Sequence, residues 1–424
     1  MSKWLWRISR LLRRIWFRAT LFSILAVVTA LIAIVAEPYI PGDLQTRIGA
    51  DAVDNILGII ASSMLAVTTF SLSTMVSAYS AATSNVTPRA TRLVMEDSTT
   101  QNVLATFVGS FLFSLVGIIA LSTGAYGSSG RVVLFIVTIV VIALIVVTLL
   151  RWIDHLSRLG RVTETTARVE KAAAEAMRAR SHAPHMGAKP PVAVPPGAKP
   201  IHVDQVGYLQ HLDAGALSRI AEHCEGRIFV RTIPGAFIEP SRPIAWAEGL
   251  SDEDQERAIV RAFTIDEVRS FDQDPRFGAS VLAEIASRAL SPAVNDPGTA
   301  IDVIGRAVRL LTIAAANRDG ADAEVDFPRL HIPTVALEDL FDDLFTPIAR
   351  DGAGIVEVGV RLQKALAALS RLGPAHFADN SQRHSALALK RAEAILSLED
   401  DKILLRELSQ AVTVASAPSG NTRC

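Results

Sequence analysis

The chain has 424 residues, half of them hydrophobic, which is length enough for a membrane domain with one or two further domains beside it. Its 42 Lys and Arg against 43 Asp and Glu leave a formal charge of −1, and this excludes the broadly basic surface that nucleic-acid binding needs. Two widely separated cysteines, Cys224 and Cys424, exclude a disulfide framework and a cysteine-based zinc site.

In chain order, the first segment interleaves Trp4, Trp6 and Trp16 with Arg7, Arg10, Arg13, Arg14 and Arg18. That pattern suits a helix lying in the lipid headgroup layer, or a long basic approach to a membrane span. Four apolar runs follow, over 17–36, 56–79, 103–123 and 132–150, and Arg18 is the only acidic or basic residue within them. Each run approaches or exceeds the roughly 20 residues that cross a hydrocarbon core. A surface helix of that length would show a charged face, and none is present. The first run is too long for the apolar part of a cleaved signal peptide, so it reads as an anchor.

Flanking charge sets the expected orientation. Basic residues precede the first run. Arg89 and Arg92 follow the second, and Arg151, Arg158, Arg161, Arg168, Lys171, Arg178 and Arg180 follow the fourth. Between the first two runs Glu37, Asp43, Asp51 and Asp54 face Arg47 alone. Cytoplasmic loops carry the excess of Lys and Arg, which places both termini in the cytoplasm of a multi-pass protein.

The second run has a chemical face. Ser62, Thr69, Ser73, Ser77, Ser80, Thr83 and Ser84 fall, with Ala66, within about 120° of a helix turning 100° per residue, and Leu65, Val67, Leu72, Met75 and Tyr79 lie on the other side. Such a stripe either lines a wet path or lets helices approach closely through small residues and hydroxyl hydrogen bonds. Proline then ends the helix at Asn85-Val86-Thr87-Pro88-Arg89, which leaves Arg89 at the inner mouth of the stripe as an anchor or an anion-selecting charge.

Beyond the fourth run, an Ala-, Glu- and Arg-rich helix is expected to continue to Arg180, followed by six prolines over 182–200 that read as an extended linker. Short strands are expected over 201–210 and 227–247 around a helix over 213–224, and the periodicity from Asp252 onward is helical almost throughout. Asp274-Pro275 and Asp296-Pro297 each read as a helix cap followed by proline in the first turn. The same stretch offers a polar pocket for a cation or small ligand, built from Asp272, Asp274, Asn295, Asp296 and Thr299, with caps and turns alone as the plainer alternative. The divisions are then a four-helix transmembrane domain with its extension over 1–180, a linker over 181–200 and a small α+β module over 201–249. A mostly helical cytoplasmic domain over 250–408 and a disordered tail over 409–424 complete them.

Enzyme signatures are missing. Glycines between Gly352 and Gly359 lack the Lys and hydroxyl of a phosphate-binding loop, the nine histidines are scattered, and no Gly-x-Ser-x-Gly elbow occurs. No catalytic residue, metal or cofactor is expected.

The Pro-Arg ending of the second run, Gln273-Asp274-Pro275 with Phe277-Gly278, and Leu290-Ser291-Pro292 with Asn295-Asp296-Pro297 and Thr299-Ala300 together resemble the bacterial membrane proteins grouped as domain of unknown function 2254. The resemblance covers residues 16–408. One departure is Asn85-Val86-Thr87 where that family usually has Gln-Phe-Ser. It implies a bacterial inner-membrane protein of this architecture and carries no activity. From the stripe, the expected function is a homo-oligomeric pore with a cytoplasmic regulatory domain, in contact with membrane lipid. The alternative is a non-conducting membrane sensor or scaffold that binds a ligand or partner.

Overall fold

The computed structural model describes residues 50–415, apart from 96, 124–127, 159, 251, 317–323 and 373–374, together with 17, 20, 21, 23, 24, 27 and 28. The basic N-terminal segment, most of the first expected span and the loop to residue 49 therefore lie outside the described residues. The chain forms two compact units that meet at Thr165 and Thr166.

In the N-terminal unit, α1 (Ala50–Asn85) is followed by α2 (Pro88–Met95), α3 (Ser98–Ser122) and α4 (Ser128–Leu156). Among the described residues, three helical segments are long and apolar enough to cross a bilayer: Ala52–Ala81, Ser98–Ser122 and Arg131–Leu156. At 1.5 Å per residue the shortest, with 25 residues, spans about 37 Å. The second is the most enclosed of the three, with α1 and α4 packed against it. Val53 and Leu57 of α1 meet Phe113 of α3 and Leu134 of α4 in one apolar cluster. Ile60, Met64, Phe107, Ile145 and Trp152 form a second. Close approach of α1 and α3 depends on Gly117, since a Cβ there would stand 3.0 Å from Leu57 Cδ1.

The helix expected to run from the last span to Arg180 is broken. Gly160 takes φ +80°, a left-handed conformation that glycine adopts without steric cost, and α5 (Val162–His182) starts afresh beyond it.

The C-terminal unit is a helical body joined to a small β region. Its elements begin with β1 (Ala188–Lys189), β2 (Lys199–Ile201), β3 (Gly207–Leu212), α6 (Ala214–His223), β4 (Ile228–Val230), β5 (Phe237–Ile238) and β6 (Ala245–Ala247). They continue with α7 (Glu253–Ala262), β7 (Phe263–Asp266), α8 (Pro275–Ala289), α9 (Pro297–Ala315) and β8 (Phe327–His331). The last are α10 (Leu337–Asp351), α11 (Val356–Leu372), α12 (Ala375–Ile395) and α13 (Glu399–Ala415). One sheet has the order β1-β8-β4-β6-β2, and a second has β5-β3-β7. In the first, β8 runs parallel to both β1 and β4, while β6 pairs antiparallel with β4 and β2.

Three expectations change here. The proline-rich stretch is not a free linker, because its two ends form β1 and β2 of the sheet, where prolines are tolerated at edges. The α+β module is not closed at 249 either, since β8 comes from far downstream and lies between β1 and β4. Finally, α13 continues through Ala415, so the tail is helical well past Ser409; residues 416–424 lie outside the described ones.

The β region buries Ile201, Leu209, Ile228, Val230, Ala245 and Leu330 together with Leu217 of α6 and Ile259 of α7. Each such side chain contributes about 1.5–3 kcal/mol relative to leaving it in water. In the helical body α8 packs on α9 and α10, α9 on α11, and α11 on α12 and α13. Phe341 and Phe345 of α10 and Phe377 of α12 are fully buried there. α5 is tied to this body through Glu170, which accepts from Arg306 Nη1 at 2.6 Å and Arg309 Nε at 2.6 Å, and Ala173 backs onto Gly278.

Candidate functional site

α1 has two opposite sides. Val53, Leu57, Ile60, Met64, Ser71, Met75 and Ala78 are buried and share a sector of about 60° at 100° per residue. The polar member of that face, Ser71, accepts a hydrogen bond from Trp152 Nε1 of α4 at 2.9 Å. Half a turn away stand Ser62, Thr69, Ser73, Ser77, Ser80 and Ser84, every one exposed. The hydroxyl stripe thus turns away from the other described helices of its unit.

Several of these hydroxyls are satisfied along the helix. Ser62 Oγ donates to Gly58 O at 3.0 Å, Thr69 Oγ1 to Leu65 O at 2.9 Å and Ser84 Oγ to Ala81 O at 3.2 Å. Bonding back to the preceding turn lets a Ser or Thr sit in a dry environment without an orphaned donor. Gly58, Ser62 and Ala66 follow one another at four-residue spacing, and a Cβ at Gly58 would meet nothing within 4 Å. Exposed Val76 falls within the stripe's sector, and exposed Ile59 and Phe70 border it. Leu65 and Leu72, expected across the helix from the stripe, prove to be exposed flanks as well, whereas Met75 is buried.

α4 presents a contrasting surface. Its exposed side chains include Ile136, Ile139, Val140, Leu144, Val146, Val147 and Leu150, an aliphatic face of the kind that lipid tails favour.

At one end of the stripe the chain turns at Thr87, and Pro88 occupies the first helical position of α2, where its missing N–H costs nothing. Arg89 is exposed in that first turn, its backbone N–H 3.4 Å from Thr87 Oγ1. Thr83 Oγ1 meets Thr91 Oγ1 at 3.0 Å and holds α1 to α2. A polar cluster that sequence reasoning missed lies at the start of α3. Asp97 caps the helix by accepting from Thr100 N at 2.9 Å, and its Oδ2 lies 2.9 Å from His155 Nε2 of α4. The Asp97-x-x-Thr100 spacing was the available signal for the cap. The histidine partner, 58 positions away from Asp97, had none.

The acidic residues of the C-terminal unit separate into two groups. Asp274 caps α8 through Phe277 N at 3.0 Å and receives Arg269 Nε at 2.8 Å and Nη2 at 3.0 Å. It is 2% exposed. Burial pushes its carboxyl above the usual range despite the opposing Arg269 charge. Gly235, at φ +100°, lies directly on this carboxylate and leaves no room for a Cβ. Asp272 accepts from Ser270 Oγ at 3.1 Å. Asp296 caps α9 through Thr299 N at 3.1 Å and Thr299 Oγ1 at 2.6 Å, with Asn295 at φ +49° in the preceding turn. The Thr299 hydroxyl and then its backbone N–H hold the Asp296 carboxyl below its usual range. Asp272 and Asp274 stand at the start of α8, whereas Asn295, Asp296 and Thr299 stand beyond its end. Its 15 residues put about 20 Å between them, so the single pocket expected from all five does not form. Among the described residues no group of three or more His, Cys, Asp or Glu is placed to hold a metal ion.

The family described as "predicted membrane protein (DUF2254)" matches residues 13–368. Uncharacterised proteins of Mycobacterium bovis and Mycobacterium tuberculosis are each 32% identical over 120 residues. That stretch is 27% of this chain and 23% of each relative, so the chain spans about a quarter of their length. No solved structure matches. The chain belongs to the DUF2254 family of predicted membrane proteins.

Proposed function

We propose that this member of the family is a homo-oligomeric membrane pore, in which copies turn the hydroxyl face of α1 toward a common axis. The contrast between two outward faces carries the reading. α4 shows aliphatic side chains to its surroundings, whereas α1 shows Ser62, Thr69, Ser73, Ser77, Ser80 and Ser84 among exposed Ile59, Leu65, Phe70, Leu72 and Val76. A helix facing lipid gains nothing from hydroxyls, so the face of α1 is matched to water or to another helix. Three spans enclose no path by themselves, and a path along the stripe needs several copies around an axis. Gly58, Ser62 and Ala66 allow close approach between copies at one end, and Arg89 supplies a positive charge at the other. With residues 17–36 as a further span, each copy crosses the bacterial inner membrane four times. Both termini are then cytoplasmic, as the basic flanks require, and the C-terminal unit serves as a regulatory domain. The reading assigns no catalysis.

Single cysteines at Ser62, Thr69, Ser73, Ser77 and Ser80 test it. Water-soluble thiol reagents are expected to modify these positions in the solubilised oligomer and in liposomes, and to leave cysteines at Ile139 and Leu144 untouched. Ser73→Phe is expected to stop solute flux. A monomeric mass, or a stripe that stays unreactive throughout, would overturn the pore. The second reading is a non-conducting sensor or scaffold whose copies meet along the same face as dry packing. It is favoured by the hydroxyls of Ser62 and Thr69, which are already satisfied within their own helix.

A further inference from the structure

The C-terminal unit contains a cavity of about 560 Å³, within the range of small-molecule sites. One wall is α5 and another is the start of α6, and the loop before α8 and the start of β8 close it. Of the five residues expected from the sequence to build a ligand pocket, Asp272 lines it.

Arg180 of α5 lines this cavity and is 8% exposed. Its Nη1 has no hydrogen-bond partner, and Nη2 reaches only the Gln273 carbonyl at 3.4 Å. The carboxylate that favours its charge is Asp274, whose two oxygens are already taken by Arg269. Burial lowers the Arg180 guanidinium to about 10, so it remains charged at neutral pH. A buried cation without a paired anion costs several kcal/mol, and a fold keeps one only where something offsets the cost. Arg219 lines the same cavity from α6 and makes no ion pair among the described residues. The α6 N-terminus, at Ala214 and Gly215, also lines the cavity, with the Asp213 carboxylate capping it through Ala216 N at 2.9 Å. Two further carboxylates in the lining, Asp272 and Asp326, are suited to accept from hydroxyl groups.

We propose that this cavity binds a small hydroxylated organic phosphate, its oxyanion held by Arg180 and Arg219 and its hydroxyls by Asp272 and Asp326. Guanidinium groups supply directional donors to phosphate oxygens, and the carboxylates reject a ligand that is anionic at both ends. The inference rests on the C-terminal unit alone and survives if α1 lines no pore.

Ribose 5-phosphate, inorganic phosphate and ribose serve as probes on the detergent-solubilised full chain, read by thermal shift and calorimetry. Ribose 5-phosphate is expected to raise the melting temperature, phosphate to raise it less, and ribose to leave it unchanged. Arg180→Met should weaken ribose 5-phosphate binding at least tenfold, while the unliganded protein melts at the same temperature or higher, because an unpaired buried charge has been removed. Arg219→Gln should weaken both phosphates, and Asp326→Asn only ribose 5-phosphate. Absence of any shift with the wild-type chain at millimolar probe overturns the proposal, as does an equal shift in Arg180→Met. A lowered unliganded melting temperature in Arg180→Met with unchanged affinity would assign Arg180 to the fold instead.

Discussion

At the scale of single residues, Asp274 and Asp296 show how one motif comes to mean two things. Both precede a proline at the start of a helix, and both accept from the N–H three residues on. Asp296 is exposed, so its loss removes a cap and little else. Asp274 is buried and is clamped by Arg269, whose guanidinium also lies 5.1 Å over the Phe277 ring. Asp296→Ala is expected to cost about 1 kcal/mol, the ordinary value of an N-cap. Asp274→Ala should cost about 3 kcal/mol, because Arg269 is left without its anion in a poorly hydrated site. Chemical denaturation of the two variants measures the difference, and equal losses would show that burial of the pair contributes nothing. The capping roles were legible in the sequence. Which cap also holds a buried ion pair was not, since Arg269 lies only five residues from Asp274 and it is burial in the folded unit that sets this cap apart.

At the scale of elements, α1 and α3 illustrate two uses of glycine in membrane helices. A Cβ at Gly117 meets Leu57 Cδ1 at 3.0 Å, whereas a Cβ at Gly58 meets nothing. Gly117→Leu is therefore expected to force α1 and α3 apart and to lower stability by about 1–3 kcal/mol through overpacking. Gly58→Leu should leave the fold of a single copy intact and reduce the mass of the assembly, because its side chain projects from the outward stripe. Melting curves and light scattering on the solubilised variants separate the two effects. A Gly58→Leu protein with unchanged mass would remove this end of the stripe from any contact between copies. Periodicity alone located the stripe, because residues three and four apart share one face of any regular helix. It could not say whether that face was turned toward the neighbouring helices of the chain.

At the scale of the whole molecule, the C-terminal unit begins earlier than composition suggests. Residues from Thr166 onward cluster with it, β1 and β2 lie on either side of the proline-rich stretch, and Glu170 holds Arg306 and Arg309. A fragment starting at Thr166 is expected to unfold in one cooperative transition. One starting at Ile201 loses α5 and β1, which exposes an edge of β8 and leaves the largely buried Arg306 with Asp302 as its remaining anion. It should melt well below the longer fragment or fail to fold, and circular dichroism melts decide between them. Equal melting temperatures would mean that α5 is not part of the unit. The sequence by itself determined the apolar spans, the hydroxyl face, the helix caps and the family resemblance, because each depends on residues close together along the chain. Tertiary structure alone decided that β8 enters the sheet between β1 and β4, that the five acidic and polar residues form two groups, and that Arg180 sits in a cavity. Those outcomes depend on which distant segments meet, and their contact energies leave no periodic trace in the local sequence.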